Sequence, residues 1–267
     1  MSQITDNIGK TRNTGVEFSV SSINISKRAF SWSTNFNFAQ IKTEIIDLYG
    51  DGLDDLGNKW FLGYPIKVNF DYLHTGIWQL NEANLASKYG AQPGFAKYDD
   101  VNNDGTYDLG DRVIIGSPEP NFTASLTNTF NYNNFSLSIL LYGVSGVKKS
   151  NPYKDNNYLI NRNWWTPTNP TNAFWSVDTN ANQYANGRND KPSVFESANY
   201  IRVKDVTLAY RLPKKWLEKI DVSNGRVYFS MKNPLTFTNW QGLDPELDTQ
   251  RAIPLQRDFI FGLTVSF

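Results

Sequence analysis

The chain has 267 residues with 26 basic and 26 acidic side chains, so no net field recruits nucleic acid. With no cysteine there is no disulfide, thiol nucleophile or thiolate metal site. No run approaches the ~18 apolar residues of a spanning helix, which excludes α-helical insertion but not a β-barrel, whose strands hide their hydrophobicity in alternation. Aromatic residues are abundant, with 8 Trp and 14 Tyr, as interfacial girdles or sugar-stacking surfaces require.

In chain order, Val16, Phe18 and Val20 alternate with Glu17, Ser19 and Ser21, predicting a strand with one apolar and one polar face. Phe30, Trp32, Phe36 and Phe38 against Ser31, Ser33, Asn35 and Asn37 predict a second. The extended stretch 65–78 is assigned to an external loop. It holds His74, the only histidine, in a structural role among aromatics.

The loop that follows, Asp100-Val-Asn102-Asn-Asp104-Gly105-Thr106-Tyr-Asp108-Leu-Gly-Asp111, bears side-chain oxygens at positions 1, 3, 5, 9 and 12, with Gly at 6. That is the spacing of an EF-hand calcium loop, in which alternate side chains converge and Thr106 at position 7 offers its carbonyl. Asp111 replaces the usual bidentate Glu and no flanking helices are evident, so a modest affinity and a stiffening role for Ca2+ are expected. A solvated Asn/Asp/Gly turn is the plainer alternative.

Phe122, Leu126, Phe130 and Tyr132 mark a third strand, and Phe135, Leu137, Ile139 and Leu141 a fourth after an Asn133-Asn134 turn. Trp164, Trp165 and Trp175 lie in a loop rich in Asn, Thr and Pro, where exposed rings would suit a sugar or peptide substrate and loop packing is the alternative. Val206, Leu208 and Tyr210 form a fifth strand, with a bulge expected at Lys204-Asp205. A short helical turn is expected over 214–220, after Pro213, then a sixth strand at Val227, Phe229 and Met231. Asp244, Glu246 and Asp248 could imitate a glycosidase pair, which needs carboxyls ~5–9.5 Å apart, but a Pro/Asp-rich loop accounts for them more simply.

The last strand puts Phe259, Phe261, Leu263, Val265 and Phe267 on one face and Ile260, Gly262, Thr264 and Ser266 on the other. Alternation running to a terminal aromatic suits lipid outside and a wet lumen inside, although a buried sandwich strand would look the same. Connections alternate between short and long, as the periplasmic turns and extracellular loops of an outer-membrane barrel do. The fold class expected is all-β: an antiparallel transmembrane β-barrel segment of seven spanning strands with long extracellular loops. The competing reading is a soluble or surface-attached, calcium-stabilised carbohydrate-binding β-sandwich, and a glycoside hydrolase is a distant third.

Several blocks carry a family resemblance. Asn7-Ile-Gly-Lys-Thr-Arg-Asn13-Thr-Gly-Val-Glu17 resembles the strand-opening motif of TonB-dependent outer-membrane transporters. Gly63-Tyr-Pro-Ile66, Gly76-Ile-Trp-Gln79 and Asp111-Arg-Val-Ile-Ile-Gly-Ser-Pro-Glu-Pro120 resemble their SusC/RagA branch. So do Trp165-Thr-Pro-Thr-Asn-Pro170, Tyr200-Ile-Arg-Val-Lys-Asp-Val-Thr-Leu208, Asn233-Pro-Leu-Thr-Phe-Thr238 and Gly242-Leu-Asp-Pro-Glu246. The resemblance implies a barrel of about 22 strands around a plug, importing oligosaccharides or peptides across a bacterial outer membrane of the Bacteroidetes type. It implies a SusD-like surface lipoprotein as lid and TonB as energy source. The terminal aromatic pattern resembles the signal read by the barrel-assembly machinery. Residues 1–267 are then expected to be the C-terminal part of the barrel, with signal peptide, TonB box and plug outside this chain. No catalytic residue and no nucleic-acid partner are expected.

Overall fold

The computed structural model describes residues 9–151, 163–177, 194–247 and 252–267. Its strands are β1 (Gly9–Ser26), β2 (Phe30–Leu48), β3 (Asn69–Tyr72), β4 (His74–Ile77), β5 (Ala96–Tyr98), β6 (Arg112–Gly116) and β7 (Phe122–Tyr132). They continue with β8 (Phe135–Ser145), β9 (Lys148–Ser150), β10 (Phe195–Ser197), β11 (Tyr200–Arg211), β12 (Asn224–Thr238) and β13 (Asp258–Ser266). Among the described residues there are also two short α-helices, α1 (Ala83–Lys88) and α2 (Lys214–Leu217), and three single 3-10 turns at Leu80–Glu82, Leu109–Asp111 and Glu218–Ile220.

Seven long strands form one antiparallel sheet in the order β1-β2-β7-β8-β11-β12-β13. These are the seven strands expected from alternation, and the stretch 65–78 stays out of the sheet, pairing locally as β3 with β6 and β4 with β5. The first hairpin reaches further than its apolar pattern indicates: β1 has 18 residues and β2 has 19. A membrane strand needs ~9–11, so this hairpin rises well past the apolar band. One side of the sheet carries short turns. Lys27 N–H bonds Phe30 O at 2.8 Å, and Asn133 takes the positive φ of 51° that a tight turn needs and Asn tolerates.

Register confirms the two faces. Phe18 opposes Phe38, Phe36 opposes Leu126, and Phe229 opposes Phe261, so apolar side chains continue across strands. On this face Phe261 is 81% and Phe237 60% exposed, and among the described residues no second sheet covers it. A sandwich would bury this face ~10 Å from a partner sheet; the sandwich alternative therefore fails. Polar groups that do lie here satisfy each other: Trp32 Nε1 and Thr34 Oγ1 both donate to Asn128 Oδ1, at 2.9 and 2.7 Å. In hydrocarbon such groups have no water to turn to. The other face is a ladder of small polar side chains, with Ser19 Oγ donating to Asn37 Oδ1 at 2.7 Å and Asn37 Nδ2 to Ser125 Oγ at 3.1 Å.

The long connections fold on themselves at the opposite end from the short turns. Their core is aromatic: Tyr72, Trp78, Tyr98, Tyr107, Trp165 and Trp175, with Ile77, Ala86, Ala96 and Val194.

Candidate functional site

Three features of the loop end bear on function: the inner rim of β11, the loop 100–111, and the tryptophans.

At the rim, a bulge slips the register of β11 between Val203 and Asp205 against both neighbours. Above it, Arg202 opposes Tyr142, and below it Asp205 opposes Leu140 and Lys232, all on the inner face. The extra residue lets both Lys204 and Asp205 turn inward while strand pairing resumes. Arg202 is fully buried and donates through Nη2 to Asp244 Oδ1 at 2.7 Å. Lys204 Nζ donates to Glu246 Oε1 at 3.0 Å, and the Tyr200 hydroxyl donates to the same oxygen. Asp244 Oδ1 also accepts the Glu246 N–H at 2.9 Å, and Oδ2 accepts the Leu255 N–H at 3.3 Å. The Arg202 guanidinium lies 5.1 Å from the Tyr200 ring centroid. Two of the sequence blocks, 200–208 and 242–246, are thus joined by a buried ionic clamp. Complementary charges in the two blocks are the signal that reading them one at a time leaves out.

This clamp takes Asp244 out of the running as a catalytic acid. Burial alone would raise Asp244, but the Glu246 N–H and Arg202 outweigh it and hold the carboxyl below its ordinary value. A glycosidase acid needs the opposite shift. Asp248 and the first two residues of the 7–17 motif lie outside the described residues.

The loop 100–111 closes through its own hydrogen bonds. Asp100 Oδ2 accepts from Gly105 N–H and from the Tyr89 hydroxyl, both at 2.9 Å, and its Oδ1 accepts the Asp104 N–H at 3.2 Å. Asn102 Oδ1 accepts from Asp104 N–H at 3.0 Å, and Asp104 Oδ1 from Thr106 N–H and Oγ1 at 2.9 and 2.8 Å. Asp108 Oδ1 accepts from Gly110 N–H at 2.6 Å. Asp111 is fully buried, its two oxygens taken by the N–H groups of Val101 and Asp108 at 2.9 and 2.8 Å. Gly105 turns the chain at φ +83°, where a β-carbon would be strained. The Thr106 hydroxyl, its N–H and the Asn102 amide hold Asp104 below its ordinary value, and the bond to Asp100 raises Tyr89. Among the described residues no three His, Cys, Asp or Glu side chains form a group that could hold a metal ion. In this arrangement Asp111 anchors backbone and does not point both oxygens at a common centre.

The tryptophans do not form an open stacking platform. Trp165 and Trp175 are 5% and 2% exposed and sit in the aromatic core, with Trp165 Nε1 donating to Gln79 Oε1 at 3.0 Å. Gly94 makes room for that ring: a β-carbon there would come 2.4 Å from Trp165 Cε3. Trp164 is partly exposed, against Phe174 at 6.0 Å. The expectation of exposed substrate-stacking faces at Trp165 and Trp175 is therefore corrected to packing, because ten apolar and aromatic side chains need a centre once the loops collapse. His74 lies edge-on to Tyr98 and Trp175 in the same cluster.

No family model matches the chain. It is 31% identical over 298 residues to TonB-dependent receptor P3 of Formosa agariphila, covering 98% of this chain and 29% of that protein. It is 28% identical over 288 residues to TonB-dependent receptor SusC of Bacteroides thetaiotaomicron, covering 99% of this chain and 27% of that protein. Among solved structures, the RagAB peptide importer in its open-open state superposes with a TM-score of 0.74 at 20% identity, over 97% of this chain and 29% of that one. The RagAB peptide transporter gives 0.74 at 22%, over 98% and 30%. At those identities the structures establish the fold. A single two-faced antiparallel sheet with an aromatic loop cap defines a stretch of β-barrel wall. The chain is similar to part of the SusC/RagA-type TonB-dependent receptors and spans 29% of the length of receptor P3 and 27% of that of SusC. Those relatives are receptors and importers, not enzymes.

Proposed function

We propose that the chain is the last seven strands of the wall of a TonB-dependent importer in a bacterial outer membrane, and that its loops line the chamber where oligosaccharide or peptide enters. The observation that carries this is the sheet itself: one face of exposed Phe, Leu, Ile and Val, one of Ser, Thr and Asn, and loops massed at one end. The outer edges of β1 and β13 lack neighbours among the described residues. Unpaired backbone in lipid costs several kcal/mol per group, so further strands of the same receptor must cover both edges. The clamp of Arg202 and Asp244 fixes the loop 239–247 against the inner rim, which suits a chamber wall that a SusD-like lipoprotein closes from outside. TonB supplies the energy through parts of the receptor beyond this chain.

Purifying the whole receptor from outer membranes tests this. The expected result is a heat-modifiable barrel that brings a surface lipoprotein with it and mediates TonB-dependent uptake of an oligosaccharide or peptide. Recovery as a soluble protein, or uptake indifferent to TonB, would sink it.

Calcium binding by 100–111 belongs to the same proposal. What supports it is the spacing of Asp100, Asn102 and Asp104 about Gly105, with an Asp at position 12. An ion would have to displace hydrogen bonds already formed, so an affinity of ~10⁻⁴–10⁻³ M is expected. Calorimetric titration of the receptor with calcium checks this, with D104N as the weakened variant; no heat up to ~10 mM would rule the ion out.

A further inference from the structure

The end of the sheet with the short turns holds one feature that the transport reading does not use. Helix α2 follows β11 through Pro213 and returns to β12 through a left-handed Asp221 at φ 55°. Its Leu217 is 3% exposed and covers Gly225, where a β-carbon would lie 2.9 Å from Leu217 Cδ2 and 3.0 Å from Leu212 Cδ1. Gly225 opposes Val265, a residue of the apolar face. The helix is therefore folded against the outward, lipid-side face of the sheet, at the level where the apolar band ends.

Trp216, beside Leu217, is 60% exposed, and of the eight tryptophans it alone is exposed. Its sequence neighbours Lys214, Lys215 and Lys219 are all exposed, as are Glu218 and Asp221. At the same end of the sheet the first turn adds Lys27 and Arg28, also exposed. A largely exposed indole on a short helix packed against the outward face, with three exposed lysines close in sequence, has the composition of a headgroup-level anchor, in which a ring sits among glycerol and upper acyl carbons while lysines meet phosphate.

We infer that α2 is a docking site for anionic phospholipid of the periplasmic leaflet, with Trp216 inserted at headgroup depth and Lys214 and Lys215 bound to the lipid phosphate. The inference rests on the outer-membrane barrel reading. It goes further in assigning lipid selectivity to a turn that a generic barrel would leave short and inert. Lysines near an anionic surface contribute enough each that losing two should weaken binding by ~10-fold or more.

The test uses the whole receptor in detergent, titrated with brominated phosphatidylglycerol or brominated phosphatidylcholine, and compares its tryptophan quenching with that of W216F. Heat-modifiable migration confirms that each variant is folded. The expected result is a Trp216-dependent component whose midpoint lies ~10-fold lower for phosphatidylglycerol, and which shifts to the phosphatidylcholine value in K214E/K215E and in the milder K214Q/K215Q. Equal midpoints for the two lipids would overturn the inference. So would quenching that is the same in W216F while the remaining tryptophans still respond, which would leave the barrel reading standing. Absence of quenching in any tryptophan would remove the barrel reading and this inference with it.

Discussion

Arg202 and Asp244 show how single residues tie the wall to its loops. Both are buried, and each is neutralised by the other, so removing one leaves an uncompensated charge. R202A should cost ~3–5 kcal/mol locally, and limited proteolysis should then cut the 239–257 loop much faster than in the parent. An unchanged cleavage rate would mean that the loop is held by packing alone. Trp175 supports the external module in a different way, as a large ring in a closed aromatic core. W175A should destabilise that module by ~3–5 kcal/mol, read as a lowered loop-unfolding temperature with the barrel still heat-modifiable. Transport failing without any loss of loop stability would instead return this ring to a direct role with substrate.

At the scale of elements, β13 offers the sharpest contrast, because neighbouring residues face different solvents. Val265 is on the apolar face with Phe261 and Leu263, while Thr264 opposes Arg226 on the inner face. An arginine at 265 near mid-bilayer should cost ~2–4 kcal/mol and impair membrane assembly, whereas T264R should assemble normally. Assembly assayed by heat-modifiability distinguishes the two, and the reverse ranking would invert the facing of the whole sheet. The loop 100–111 and helix α1 form a second element whose stability rests on carboxylates. Lys97 beside Glu82, with the Gln79 N–H, holds that carboxyl below its ordinary value, and Thr106 and Asn102 do the same for Asp104. Groups with depressed folded values stabilise fully above their ordinary range and lose that contribution as pH falls through the depressed values. The loop module should therefore keep constant stability from neutral pH down to ~5 and weaken below ~4, followed by fluorescence of its buried tryptophans. A transition centred near pH 6 would contradict this assignment to carboxylates.

For the whole molecule, charge and polarity are sorted along the sheet. Carboxylates and most lysines gather at the loop end, Lys27, Arg28, Lys214, Lys215 and Lys219 stand at the turn end, and the apolar band lies between on one face only. That arrangement has no stable form in water as a lone sheet, since the exposed Phe and Leu side chains of the apolar face would have to be covered. Residues 9–267 expressed without the rest of the receptor should accumulate as inclusion bodies and fail to yield a soluble monomer. A soluble, monomeric product by size-exclusion chromatography would contradict the membrane reading directly.

Strand number, order and facing were legible in the sequence, because a period of two residues survives in any strand that separates lipid from water. The bulge at Lys204 and the turn of helix after Pro213 were legible for the same local reason: each interrupts or ends that period. The length of the first hairpin was not, since beyond the apolar band Lys42, Glu44 and Asp47 keep pairing without alternating in hydrophobicity. The fate of Trp165 and Trp175 was also hidden, because burial depends on distant partners, such as Gln79, 86 residues from Trp165. The clamp of Arg202 with Asp244 spans 42 residues, and no local pattern records it. By itself the sequence determined what repeats along the backbone. Only the tertiary structure decided what meets across the chain, because contacts between distant segments follow from packing loops onto a sheet and leave no periodic trace.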